Sequence, residues 1–154
     1  MEQREGSRRK WLVPLIVLGI LFLSFMTYQW IIPRTNLEIR TVYHESPGGG
    51  GTGGVINLNV LLTNWGNREV TDMDCSVRVI DDSGREVARN NINDMSLSRG
   101  DNAEIKISYI GSQYIDYTIK IEISFSSTGD DFQKDIEHRT VEDQMNLVFV
   151  NNIR

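Results

Sequence analysis

Few side chains in this sequence can do chemistry near neutral pH: two histidines, His44 and His138, and one cysteine, Cys75. Histidine titrates in that range without any perturbation, but no serine or cysteine motif accompanies either one. Gly111-Ser112-Gln113 is not the G-x-S-x-G of a nucleophile elbow. Cys75 falls on the inward side of an alternating stretch, where a cysteine behaves as a small apolar group. The Cys and His spacing of a zinc site is missing. Asp72/Asp74, Asp81/Asp82 and Asp130/Asp131 with Asp135 offer carboxylates of the kind that calcium takes. No D-x-[DN]-x-[DN]-G loop holds them together, and Asp is favoured in turns for backbone reasons alone. Asp130, Asp131 and Asp135 are therefore candidate ligands at most. No metal or cofactor is assigned, and the residues point away from an enzyme.

Three further motifs have ordinary structural explanations. The run from Pro47 to Gly54, PGGGGTGG, satisfies G-x-G-x-x-G on paper. A dinucleotide fingerprint follows a strand and opens a helix, whereas this run leads into a second strand, so it reads as a flexible connection. Arg99-Gly100-Asp101 spells an integrin-recognition tripeptide, but glycine between polar residues is common turn chemistry. Trp65, in Asn64-Trp65-Gly66-Asn67, is the one aromatic side chain placed like a glycan contact.

The elements that must position these groups are strands. Leu37, Ile39, Thr41 and Tyr43 alternate with Glu38, Arg40 and Val42. The same period of two runs through Ile56 to Leu62, Met73 to Val79, Ala103 to Tyr109 and Ile115 to Phe125. One apolar and one polar face per strand is the pattern of a half-buried antiparallel strand. Shorter strands are expected at Glu86–Arg89, Phe132–Val141 and Asn146–Val150. Turn chemistry separates them at Asn64–Asn67, Asp81–Gly84, Ser98–Asp101, Gly111-Ser112 and Ser127–Asp130. Seven or eight strands of this kind predict two sheets burying their apolar faces against each other, an immunoglobulin-like β-sandwich. A single cysteine excludes an internal disulfide.

The first 32 residues are of another kind. Arg4, Arg8, Arg9 and Lys10 lie in a basic tail, residues 1–10, and Trp11 to Ile32 then carries no charge. Those 22 residues make a helix of about 33 Å, enough for the ~30 Å hydrocarbon layer of a bilayer. Trp11 at one end and Tyr28 and Trp30 at the other suit the membrane–water interface. A cleaved signal peptide would need small residues near its end, and Phe25-Met26-Thr27-Tyr28 are bulky. The expectation is an uncleaved anchor, residues 11–32, with lipid as its partner. Its N-terminus is cytoplasmic because the basic residues before it outnumber Arg34 and Arg40 after it. Residues 33–36 form a short linker, and residues 37–154 an extracytoplasmic sandwich. Beyond residue 32, 12 Lys and Arg face 19 Asp and Glu, a net charge of −7. That balance disfavours nucleic acid, and no small-molecule substrate is evident.

The stretch Ile56–Phe125 resembles the CARDB type, a cell-adhesion-related immunoglobulin-like domain of archaeal and bacterial surface proteins. The resemblance lies in an apolar strand running into Asn64-Trp65-Gly66-Asn67, and in Val70-Thr71-Asp72-Met73 opening the next strand. It continues in Asp82-Ser83-Gly84, and in Leu97-Ser98-Arg99-Gly100-Asp101 before Ala103–Ile107. It implies an adhesion, scaffold or protein-interaction module of the cell envelope, with envelope or membrane proteins as partners. The alternative class is a ligand- or calcium-binding accessory or sensor subunit of a membrane complex.

Overall fold

The computed structural model describes residues 5–46, 54–111, 115–140 and 146–154, with side chains from Leu12 onward except Gln29. Two compact units divide between Pro33 and Arg34. The first holds one helix, α1 (Glu5–Trp30). It differs from the expected 11–32 at both ends. The basic tail is helical from Glu5, since Arg and Lys are good helix formers. The helix stops at Trp30 because a residue before proline is steered out of the α region, here Ile32 before Pro33. Pro14 is accommodated inside the helix. Among the described residues, no helix is long and apolar enough to cross a membrane.

The second unit is all β. Its strands are β1 (Leu37–Ser46), β2 (Gly54–Asn64), β3 (Val70–Ile80), β4 (Glu86–Leu97), β5 (Asn102–Gly111), β6 (Thr118–Ser127), β7 (Asp130–Arg139) and β8 (Asn146–Ile153). Two four-stranded antiparallel sheets result, ordered β5-β2-β1-β8 and β4-β3-β6-β7. Three hairpins (β1–β2, β3–β4, β6–β7) are linked by crossings between the sheets, two of them in succession on either side of β5. The glycine-rich run joins β1 to β2 as expected, although residues 47–53 lie outside the described residues.

The alternation of the sequence is the alternation of burial. Leu37, Ile39, Thr41 and Tyr43 face inward from β1, and Ile56, Leu58, Val60 and Leu62 from β2. Met73, Cys75, Val77 and Val79 meet them from β3, with Ile119, Ile121, Ile123 and Phe125 from β6. Phe125 stacks on Phe132 of β7, with centroids 4.9 Å apart. The strand pattern continues one step further than expected at Glu45, which is 8% exposed and also faces inward. Its Oε2 accepts from the Tyr43 hydroxyl at 3.3 Å, and its Oε1 and the nearby Tyr109 hydroxyl have no partner. Burial, with Glu45 adding to it, pushes the Tyr43 phenol well above its usual range.

Asn64 holds the end of the sandwich where the chain enters from α1. Its side chain is fully buried. Its Nδ2 donates to Arg68 O at 2.7 Å and Leu97 O at 2.9 Å, and its Oδ1 accepts from the Gly66 amide at 2.9 Å. Its carbonyl accepts from Gly100 N at 2.7 Å, and its amide donates to Asp101 O at 3.1 Å. One asparagine thus joins the β2–β3 and β4–β5 crossings. Glycine is required beside it, because a Cβ on Gly66 would stand 2.6 Å from Arg34 O.

Three substitutions separate core packing, surface and loop clamping. Ile121→Ala should cost about 2–5 kcal/mol by transfer and cavity terms, and Ile110→Ala, at a site 86% exposed, within about 0.5 kcal/mol. Asn64→Ala should cost about 3 kcal/mol, because buried groups left without partners cost about 1–3 kcal/mol each. Urea unfolding midpoints of the three variants check the order.

Candidate interaction surface

The four edge strands of the sandwich are not alike. On one flank β4 and β5 are consecutive, and Asn90 Nδ2 donates across to Lys106 O at 2.9 Å. On the other flank β7 and β8 are both open edges. β7 carries Asp130, Asp131, Lys134, Asp135, Glu137 and Arg139, the charged guard that keeps an edge from pairing with other chains. β8, Asn-Leu-Val-Phe-Val-Asn-Asn-Ile, carries no charge.

β8 is also apolar on both faces. Leu147, Phe149 and Ile153 lean inward and are half-buried, while Val148 and Val150 point out at 61% and 50% exposure. The register sets Val148 beside Val42 of β1, and Val150 beside Arg40. Two contacts bind β8 to the opposite sheet. Phe149 stacks on the His138 ring, with centroids 4.2 Å apart and planes 7° from parallel. Asn151 Nδ2 lies 2.8 Å from His138 Nε2. Burial holds the His138 imidazole below its ordinary value.

The other residues singled out in the sequence are dispersed. Asp131 Oδ1 accepts from the Ser126 hydroxyl at 2.6 Å in the β6–β7 hairpin. Asp135 lies four residues along the same strand, about 13 Å away at ~3.3 Å per residue. It faces Glu122 across the sheet instead. With Asp74, Ser76 and Ser124 these line a shallow depression of about 200 Å³. Among the described residues, no three His, Cys, Asp or Glu side chains converge as a metal site. Asp130, Asp131 and Asp135 are therefore not brought together.

His44 is exposed, its Nδ1 2.6 Å from Asn146 Oδ1 and its Nε2 3.2 Å from Ser46 Oγ. Cys75 is buried as expected, and burial raises its thiol to about 12, which removes thiolate reactivity at neutral pH. In Arg99-Gly100-Asp101 the glycine has φ +83°, and the Asp101 carboxylate accepts from Ser98 N at 3.2 Å. The tripeptide is committed to its own turn. Trp65 is 58% exposed, with its amide donating to Asn36 O at 2.8 Å. Tyr28 and Trp30 are exposed on α1, and the Trp11 side chain lies outside the described residues.

No protein-family model matches the chain, and no curated protein matches it. The fold is similar to that of solved structures. A crystal structure of a Bordetella pertussis protein described as ApaA superposes with a TM-score of 0.55 at 14% identity, covering 73% of this chain and 98% of that one. An X-ray structure of a Northeast Structural Genomics Consortium target gives 0.44 at 11% identity, over 67% and 83% of the two chains. A β-glucuronidase of glycoside hydrolase family 2 gives 0.42 at 13% identity, over 64% of this chain and 11% of that one. At these identities the likeness is one of fold alone, and the first comparison supports the sandwich.

The sequence reading did not find Val148 and Val150. Their signal was present, as an apolar run without alternation or charge at a predicted strand. The His138 contact gives β8 a pH dependence. An imidazole held below its unfolded value binds its proton more weakly in the folded state, so its stabilising contribution is present above about pH 6.5. It is lost as pH falls through the depressed folded value. Amide exchange of β8 should therefore accelerate as pH drops below about 6.5, after correction for intrinsic exchange rates. His138→Phe, which keeps a stacking ring, should flatten that dependence.

Proposed function

We propose that this chain is a single-pass membrane protein that presents an immunoglobulin-like β-sandwich outside the cell and works by protein–protein contact. Attachment is assigned to the uncharged run Trp11–Ile32, of which the 20 residues Trp11–Trp30 are helical and reach about 30 Å. Arg4, Arg8, Arg9 and Lys10 ahead of it orient the N-terminus to the cytoplasm. The strand order supports the immunoglobulin-like reading. Strands β5-β2-β1 correspond to E-B-A, and β4-β3-β6-β7 to C′-C-F-G, the variable-type sheet with its added strand. β8 is then an addition beside strand A. The CARDB-like features of Ile56–Phe125 fit the same reading, because Asn64 and Asp101 are the residues that close the end of the sandwich.

The observation that carries contact as the activity is β8. An uncharged edge strand with outward valines is a template for strand addition, in which main-chain hydrogen bonds supply affinity and alternate side chains supply specificity. A tether of only a few residues before Leu37 keeps the domain near the bilayer, so its partners are envelope or membrane proteins. No acid–base or nucleophile constellation competes with this reading among the described residues.

Cross-linking in intact cells tests it. The wild-type chain should yield a discrete heavier adduct, and external protease should remove the C-terminal domain. Val148→Lys with Val150→Lys should abolish the adduct while leaving surface display unchanged, since exposed substitutions stay within about 0.5 kcal/mol each. An undiminished adduct would exclude β8 as the contact, and protection from external protease would exclude the topology.

A further inference from the structure

The end of the sandwich at which the chain arrives from α1 is chemically unlike the rest of the domain. Arg34 lies in the entering segment, Arg68 in the β2–β3 connection, Arg99 in the β4–β5 turn and Arg154 just after β8. Pairing places all four at one end: Leu37 is opposite Asn64 and Ile153, and Val70 is opposite Leu97. The acidic residues of those same connections are Glu69 and Asp101, and Asp130 opens β7 at this end. Asp131 follows Asp130, so four cations meet four anions here in a domain whose net charge is −7. Arg68, Arg99 and Arg154 are exposed, while Arg34 is half-buried with its Nε enclosed. At the opposite end, the described connections carry Asp81, Asp82 and Asp116 against Arg85.

Trp65 stands among these arginines. Its backbone is clamped, with Trp65 N donating to Asn36 O at 2.8 Å and Asn67 N to Arg34 O at 3.1 Å. Arg34 N in turn donates to Asn67 Oδ1 at 2.8 Å. The indole remains 58% exposed. Covalent connection limits how far this end can be from α1. Arg34 is four chain steps beyond Trp30, at most about 14 Å of extended chain. That bound holds whatever the orientation of the helix.

From this placement we infer that the helix-side end of the sandwich is a lipid-contact surface, with Trp65 seated in the headgroup region and the exposed Arg68, Arg99 and Arg154 beside lipid phosphates. The inference rests on the reading of α1 as a membrane span. An indole has an apolar body and a polar N–H, which is why tryptophan favours the interface of a bilayer. Arginine binds phosphate through a planar fork and is more weakly hydrated than lysine. All four cations here are arginine. Basic residues next to anionic lipid headgroups are attracted to them over short range, and a wide-set group of them gives orientation rather than anchoring. The domain would then be held with one end on the membrane and β8 accessible along its flank.

The test uses the full chain with Trp11→Phe and Trp30→Phe, which leaves Trp65 as the single tryptophan. It is reconstituted into vesicles of phosphatidylcholine and phosphatidylglycerol, with and without lipid brominated near the carbonyl region. Vesicle flotation after alkaline wash reports the anchor separately. The expected result is a floating chain whose Trp65 emission is blue-shifted, largely quenched by brominated lipid and shielded from aqueous acrylamide. Arg68→Gln with Arg99→Gln should reverse part of that quenching without affecting flotation. A floating chain with water-like emission and no bromine quenching overturns the contact and leaves the anchor standing. Shielding from acrylamide without bromine quenching overturns it in favour of a protein partner. A chain that does not float overturns the anchor, and the inference falls with it.

Discussion

A sandwich without a disulfide must keep its two sheets together through packing and through the loops that cross between them, and one buried amide carries most of that second burden. Asn64 sits where β2 leaves one sheet, and its side chain bonds the backbone at Gly66, Arg68 and Leu97. Backbone groups in a crossing loop have no ladder partner, and burying them unpaired is costly. A shorter side chain could not reach both Arg68 O and Leu97 O. The same amide fixes the turn that exposes Trp65 and the turn that contains Arg99. Placement of the arginine-bearing end is thus a consequence of a folding requirement.

The flanks pose a different problem, because an open sheet must end somewhere. Chain continuity and the Asn90 to Lys106 bond protect the β4–β5 flank. β7 protects itself with charge. β8 has neither device, and it is held inward by an aromatic stack on His138. A strand so exposed is either a hazard or a contact, and the local chemistry bears on which. Val148 and Val150 project on the side away from the core, so the fold gains little from their being apolar. Asparagine or threonine there would serve stability equally well. The apolar choice fits an edge that meets another surface.

The sequence disclosed the inward faces well, because a buried sheet enforces a period of two and each slip would put a charge in the core. β1, β2, β3 and β6 follow that rule nearly throughout. Elsewhere local geometry interrupts it. β4 runs on to Leu97 where only Glu86–Arg89 was expected, since register shifts around Met73 and the positive φ of Asp94 break the alternation. Ile115 and Tyr117 keep the period of β6 but precede it, because Tyr117 N donates to the Thr140 hydroxyl at 2.8 Å instead of joining a ladder. Of the candidate sites, Trp65 was visible as an exposed aromatic in a turn. The arginines gathered around it were not, for they lie far apart in sequence and only the strand pairing assembles them.

That gathering also changes what the net charge means. A total of −7 would suggest a domain repelled by an anionic leaflet. Charges act on such a surface only within about 8 Å in physiological salt, whereas a ten-residue strand is about 33 Å long. The acidic residues near Asp81 and Asp116 lie a full strand length from the end that carries Arg34 and Arg68. For a domain tethered to a bilayer at Pro33, as proposed, the electrostatics that matter are those of the nearest turns. In the proposed tethered arrangement, an acidic far end and a charge-balanced near end favour one upright orientation over a tumbling one. Under that proposal an edge strand with a fixed orientation would meet a neighbour in the same membrane at lower entropic cost than one on a freely rotating domain.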